Sequence, residues 1–75
     1  MKILVFGMLV EDIGNESVEI EMPSDTDSLR IVLMEKYPSI LNRQFMIAVN
    51  KQKADKNVNL SVGDEVAIIP PFAGG

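Results

Sequence analysis

Apolar and polar positions alternate along this chain with two different periods. Lys2 to Val10 is strongly apolar and rich in β-forming residues, and reads as a strand buried on much of both faces. Glu11-Asp12-Ile13-Gly14-Asn15-Glu16 interrupts it with polar residues and a Gly-Asn pair, the composition of a turn. From Ser17 to Met22 the pattern has period two. Val18, Ile20 and Met22 lie on one side, Glu19 and Glu21 on the other, as in a half-buried strand. Two strands joined by a short polar link predict a hairpin.

The period then lengthens. Leu29, Val32 and Leu33 fall at i, i+3 and i+4, and Lys36 and Tyr37 complete a helical stripe. Ser24, Asp25 and Thr26 each carry an oxygen able to accept from an orphan amide of the first turn, and Thr26 is the favoured cap. Asp27 suits the positive end of the helix dipole, and Lys36 the negative end. Pro38 disfavours helical backbone at Tyr37, so the helix ends about there. Ser39 to Gln44 reads as a connector with one short helical turn.

Phe45 to Asn50 predicts a third strand by β propensity. Lys51 to Asn59 is polar and lysine-rich, and reads as a solvated turn and loop. After a Gly63-Asp64 turn, Val66 to Ile69 predicts a fourth strand. Pro70-Pro71 stops it, because neither proline has an amide to donate. The order β-β-α-β-β with one helix defines a two-layer α+β domain. A connection through a helix favours parallel pairing, most simply the first strand beside the last.

Composition narrows the chemistry. The 75 residues include no Cys, no His and no Trp, which removes a disulfide framework, makes a zinc site hard to build, and takes away the commonest general base and the best thiol nucleophile. The net charge of −4 opposes binding to a phosphate backbone, so no nucleic-acid partner is expected. No apolar run approaches the roughly 20 residues of a membrane span, and the apolar start is too short for a signal peptide. A soluble cytoplasmic domain, without membrane association, is the expectation.

Two features stand out. Both faces of the central strands are apolar, yet one helix covers only one face. Either the second face meets a partner, or loops and lysine stems cover it. Which face holds Ile3 and Val5, and which Leu4 and Phe6, is open at this point. The other feature is the end, Phe72-Ala73-Gly74-Gly75 behind two prolines. It reads either as a frayed terminus or as a bulk-free probe on a stiff spacer, fit to enter a narrow pocket.

The segment Gly63-Asp64-Glu65-Val66-Ala67-Ile68-Ile69-Pro70-Pro71-Phe72-Ala73-Gly74-Gly75 closely resembles the C-terminal signature of the molybdopterin synthase small subunit family. Lys2-Ile3-Leu4-Val5-Phe6-Gly7 resembles that family's opening strand, Leu29 through Pro38 its helix and stop, and Ala48-Val49-Asn50 its third strand. Pro23-Ser24-Asp25-Thr26 is similar to the helix entry of ubiquitin. One departure is that Met8 and Val10, then Glu11-Asp12, stand where family members often carry basic residues.

The resemblance implies a ubiquitin-like β-grasp fold, a mixed sheet of four to five strands with one main helix on one face. It implies a domain over residues 1–71 and an extended C-terminal tail over 72–75. By the same resemblance an E1-like enzyme uses ATP to adenylate the Gly75 carboxylate, and a persulfide-derived sulfur then leaves a thiocarboxylate there. The resemblance further implies no bound cofactor, with sulfur riding on the chain covalently. Its large-subunit partner, in a heterotetramer of two small and two large subunits, supplies the catalytic residues that build the dithiolene of molybdopterin. Phe6, Pro70, Pro71, Phe72, Ala73 and Gly74 are then partner-binding residues, with Gly75 the covalent site. Rival readings are a sulfur carrier for thiamin or tRNA thiolation, a ubiquitin-like protein modifier, and a plain interaction domain. For an autonomous enzyme the carboxylate pairs Asp25 with Asp27 and Asp64 with Glu65 are better explained as cap and turn chemistry.

Overall fold

The structure, a computed structural model, describes residues 1–71. Five strands form one mixed sheet in the order β2-β1-β5-β3-β4. They are β1 (Lys2–Val5), β2 (Ser17–Glu19), β3 (Met46–Val49), β4 (Gln52–Lys53) and β5 (Val66–Ile69). The central pair β1 and β5 is parallel, with Ile3 opposite Val66 and Val5 opposite Ile68. All other pairs are antiparallel. The expected first-beside-last pairing is therefore present. The predicted loop from Lys51 to Asn59 contributes the two-residue edge strand β4.

The main helix, α2 (Thr26–Lys36), packs on one sheet face. Leu29 and Leu33 are fully buried against Ile3, Val5, Ile20, Ile47 and Ile68. Each large aliphatic side chain removed from water in this way contributes about 1.5–3 kcal/mol. Val32 lies at the margin of the stripe and is exposed. Arg30 reaches over the Phe45 ring at 4.6 Å and donates to the Phe45 carbonyl, which ties the helix to the entry of β3. A 3-10 turn, Pro38–Ile40, follows the helix and buries Ile40.

Two expectations are corrected. The apolar run does not continue as a strand to Val10, and Glu11 to Ile13 is not a turn: Met8–Ile13 is a second helix, α1. Gly7, at φ 62° and ψ −144°, takes the chain out of β1 through backbone space that side-chain-bearing residues avoid. Leu9 and Ile13, four apart, then face the core, with Leu9 fully buried. Gly14 closes α1 in the left-handed conformation, its N–H donating to the Val10 carbonyl. Arg43 grips Asp12 through two hydrogen bonds and so holds α1 to the segment after α2.

The α2 cap is Asp25, not Thr26. Asp25 is extended at φ −155°, and its Oδ1 accepts from the Ser28 N–H at 2.8 Å. Thr26 is already helical and its hydroxyl is engaged elsewhere. It accepts from the Val58 N–H at 3.0 Å and donates to Asn57 Oδ1 at 3.3 Å. Asn57 Oδ1 also accepts from the Asp27 N–H, so a loop residue about 30 positions away shares the capping.

Candidate functional site

The strand parity left open by the sequence is settled. Ile3, Val5, Ile47, Val66 and Ile68 point to α2 and are buried, so Leu4, Ala48, Ala67 and Ile69 point to the opposite face. Among the described residues no helix covers that face. Its middle row is small: Ala67 sits between Leu4 on β1 and Ala48 on β3. The next row pairs Ile69 with Met46. Two alanines between larger neighbours leave a shallow apolar depression of about 370 Å³, lined by Leu4, Phe6, Ala48, Ala67 and Ile69, with Lys51 and Glu65 also lining it. Phe6 is 48% exposed and belongs to this face.

The Glu65 margin is fixed by a polar network. Asn50 Nδ2 donates to Asp64 Oδ1 at 3.1 Å, and the Ser61 N–H donates to Asp64 Oδ2 at 2.8 Å. These bonds, the Ser61 amide foremost, hold the Asp64 carboxyl below the ordinary carboxylate range. Ser28, through its side chain first and its backbone N–H next, and then Asn57 do the same for Asp25. Both carboxyls are thus engaged as cap and turn groups. Among the described residues no three of His, Cys, Asp and Glu stand together as a metal-binding set.

Where β5 ends, Pro70 lies over Gly7. A Cβ added to Gly7 would stand 2.7 Å from Pro70 Cγ and 3.2 Å from its Cδ. The Phe6 N–H donates to the Ile68 carbonyl at 3.2 Å immediately before this point. The structure therefore brings Phe6 and Pro70 together at one end of the open face, with Pro71 exposed beyond. Phe72, Ala73, Gly74 and Gly75, the other predicted site residues, lie outside the described residues, as does the tail assigned to 72–75. The contact between Gly7 and Pro70 was missed from sequence. The Gly7 position before a short i, i+4 apolar pair is the signal that the strand stops there.

A five-stranded mixed sheet with one main helix on one face and an apolar opposite face defines a ubiquitin-like β-grasp domain. The chain belongs to the ThiS family, whose model matches residues 3–75. It is 33% identical over 81 residues to the molybdopterin synthase sulfur carrier subunit of Caenorhabditis briggsae, covering 100% of this chain and 96% of that one. To the Dictyostelium discoideum protein of the same name it is 37% identical over 82 residues, covering 99% and 94%. Among solved structures, it superposes with a TM-score of 0.71 and 30% identity on a chain from the complex of subunits 1 and 2 of molybdopterin-converting factor from Helicobacter pylori, covering 99% of this chain and 96% of that one.

Proposed function

We propose that this chain is the sulfur carrier subunit of molybdopterin synthase and delivers sulfur from a thiocarboxylate at Gly75. The observation that carries the reading is the end of β5: a proline-stiffened exit beside an uncovered apolar sheet face, in a chain whose relatives bear that name. The Helicobacter pylori complex of subunits 1 and 2 supports a large-subunit partner, and the open face around Phe6, Ala48, Ala67 and Ile69 is the surface it would cover.

A carboxylate is a poor electrophile, because its charge repels nucleophiles and oxide is a bad leaving group. Attack of the Gly75 carboxylate oxygen on the α-phosphorus of ATP, in an E1-like enzyme, releases pyrophosphate and leaves an acyl-adenylate. A persulfide sulfur then displaces AMP, and a thiol cleaves the resulting S–S bond to leave the thiocarboxylate. Gly74 keeps the approach free of a Cβ, Ala73 adds the least bulk, and Phe72 anchors the tail base in an apolar pocket. Pro70 and Pro71 reduce the entropy lost when the tail is ordered in the large subunit. The chain acts as a covalent donor, with the catalytic residues on the large subunit, which accords with a sequence lacking His and Cys. Two small and two large subunits complete the assembly in the cytoplasm.

The test is the intact mass after incubation with an active E1-like activator, ATP and a sulfur donor. A mass gain equal to one oxygen replaced by sulfur is expected, and is lost on deletion of Gly75 with folding intact. A Gly75-deleted chain that still supported turnover would overturn the assignment.

A further inference from the structure

We infer that Gly7 is a positioning residue for sulfur transfer: by seating the Pro70 ring, it fixes the point and direction from which the tail leaves the domain. The inference rests on the sulfur-carrier reading above. Pairing between β1 and β5 ends at the bond from the Phe6 N–H to the Ile68 carbonyl. Beyond it Pro70 has no amide, so it cannot donate the next hydrogen bond of the ladder. Packing takes over. The Pro70 ring occupies the space in which any side chain at position 7 would begin, since a Cβ there would meet Pro70 Cγ at 2.7 Å and Cδ at 3.2 Å.

The same residue makes the turn from β1 into α1. Its φ of 62° and ψ of −144° are open to glycine alone, and its carbonyl accepts from the Val10 N–H at 3.1 Å. Gly7 therefore meets two needs at once, a backbone reversal and a vacant seat. With Pro70 half-buried on that seat, the donor segment starts from residue 71 and not from the end of β5. Releasing Pro70 adds one backbone residue to those that must be ordered before sulfur reaches its acceptor. Ordering one residue is worth a factor of about 5–30.

Full-length wild-type, Pro70→Gly, Gly7→Ala and the double variant are each converted to the thiocarboxylate and mixed with the molybdopterin synthase large subunit and the cyclic pterin precursor. Single-turnover transfer rate at saturating large subunit, dissociation constant and Tm are measured for each. Pro70→Gly is expected to slow single-turnover transfer at saturating large subunit about 5- to 30-fold, over and above the weaker binding that a freer tail brings. The double variant is expected to melt lower, because alanine strains the turn whatever its neighbour, but to transfer no slower than Pro70→Gly alone, because the seat no longer has an occupant. Should Gly7→Ala fail to fold, the rate-against-affinity split of Pro70→Gly still decides. Wild-type rate in Pro70→Gly, or a loss carried wholly by affinity, overturns the inference. A wild-type chain that transfers no sulfur overturns the carrier reading itself, and the wild-type control shows this directly.

Discussion

Asn50 and Glu65 exchange two hydrogen bonds beside the start of β5. The Asn50 N–H donates to the Glu65 carbonyl at 2.7 Å, and the Glu65 N–H donates to Asn50 Oδ1 at 2.9 Å. The pair bolts the β3–β4 turn to the margin of the open face. Asn50 and Lys51 are the two residues between the paired Val49 and Gln52, at φ 53° and 70°. Two consecutive positive φ values match a type I′ hairpin turn, which favours Asn followed by Gly.

Lys51 therefore occupies a position where a Cβ costs about 1 kcal/mol or more. Lys51→Gly is expected to stabilise the domain by about 0.5–1 kcal/mol, less than the full strain because glycine also frees the unfolded chain. Asn50→Ala loses its bonds to Asp64 and Glu65, and is expected to cost about 1–2 kcal/mol. Urea denaturation midpoints of the two variants should move in opposite directions. A destabilised Lys51→Gly would rule out strain at this turn.

Thr26 is buried with its hydroxyl serving two partners, Asn57 Oδ1 and the Val58 N–H. Thr26→Val keeps the shape and strands a backbone donor. The expected loss is about 1–3 kcal/mol, with Thr26→Ser much milder. Equal midpoints for the Val and Ser variants in chemical denaturation would show that the hydroxyl contributes nothing.

Much of this architecture was legible because each segment carried one period. Leu29 and Leu33 announced α2, and Val66 to Ile69 matched β5 to the residue. The misses have two causes: a local pattern that fits either period, and a contact distant in sequence that outweighs the local chemistry. Met8 to Ile13 is nearly all apolar at its start, so strand and helix periods are indistinguishable there until Gly7 is seen to need positive φ. Ser24, Asp25 and Thr26 all carry an oxygen able to cap, and local sequence does not show that Asn57 and Val58, about 30 residues on, engage the Thr26 hydroxyl. The open face was legible as a surplus of apolar positions. Its concavity was not, because it depends on the register that sets Ala67 beside Ala48.

Acid should weaken the fold through Asp25 and Asp64, whose carboxyls are held below the ordinary value by bonds from Ser28 and Ser61. At acidic pH the unfolded chain binds more protons than the folded one at these groups, so stability rises with pH. Their contribution is complete above the unfolded carboxylate pKa of about 3.9 and is lost as pH falls through the lower folded values. Asp64→Asn removes one of the two titrations. Its urea midpoint is expected to depend less on pH below about 4 than that of the wild type. An unchanged slope would mean that the Asp64 bonds to Ser61 and Asn50 do not persist in solution.

Phe6, just past the end of β1, and Ile3 within it face opposite sides of the sheet, which gives a paired test of the open surface. Phe6 is 48% exposed beside the apolar depression, whereas Ile3 is fully buried under α2. Phe6→Asp removes an aromatic from the proposed interface and places a charge where the large subunit would exclude water. Truncating a hot-spot side chain at an interface costs about 2 kcal/mol or more, about 30-fold in Kd, and a loss of that order is expected for the Asp variant, which adds a buried charge to the lost ring. The Tm should stay close to the wild-type value, since surface substitutions usually shift stability by less than about 0.5 kcal/mol. Ile3→Asp buries an unpaired carboxylate and is expected to unfold the domain. Calorimetric titration of the large subunit with each variant, beside thermal melts, separates the two effects. Wild-type affinity in a folded Phe6→Asp chain would move the docking surface away from this face.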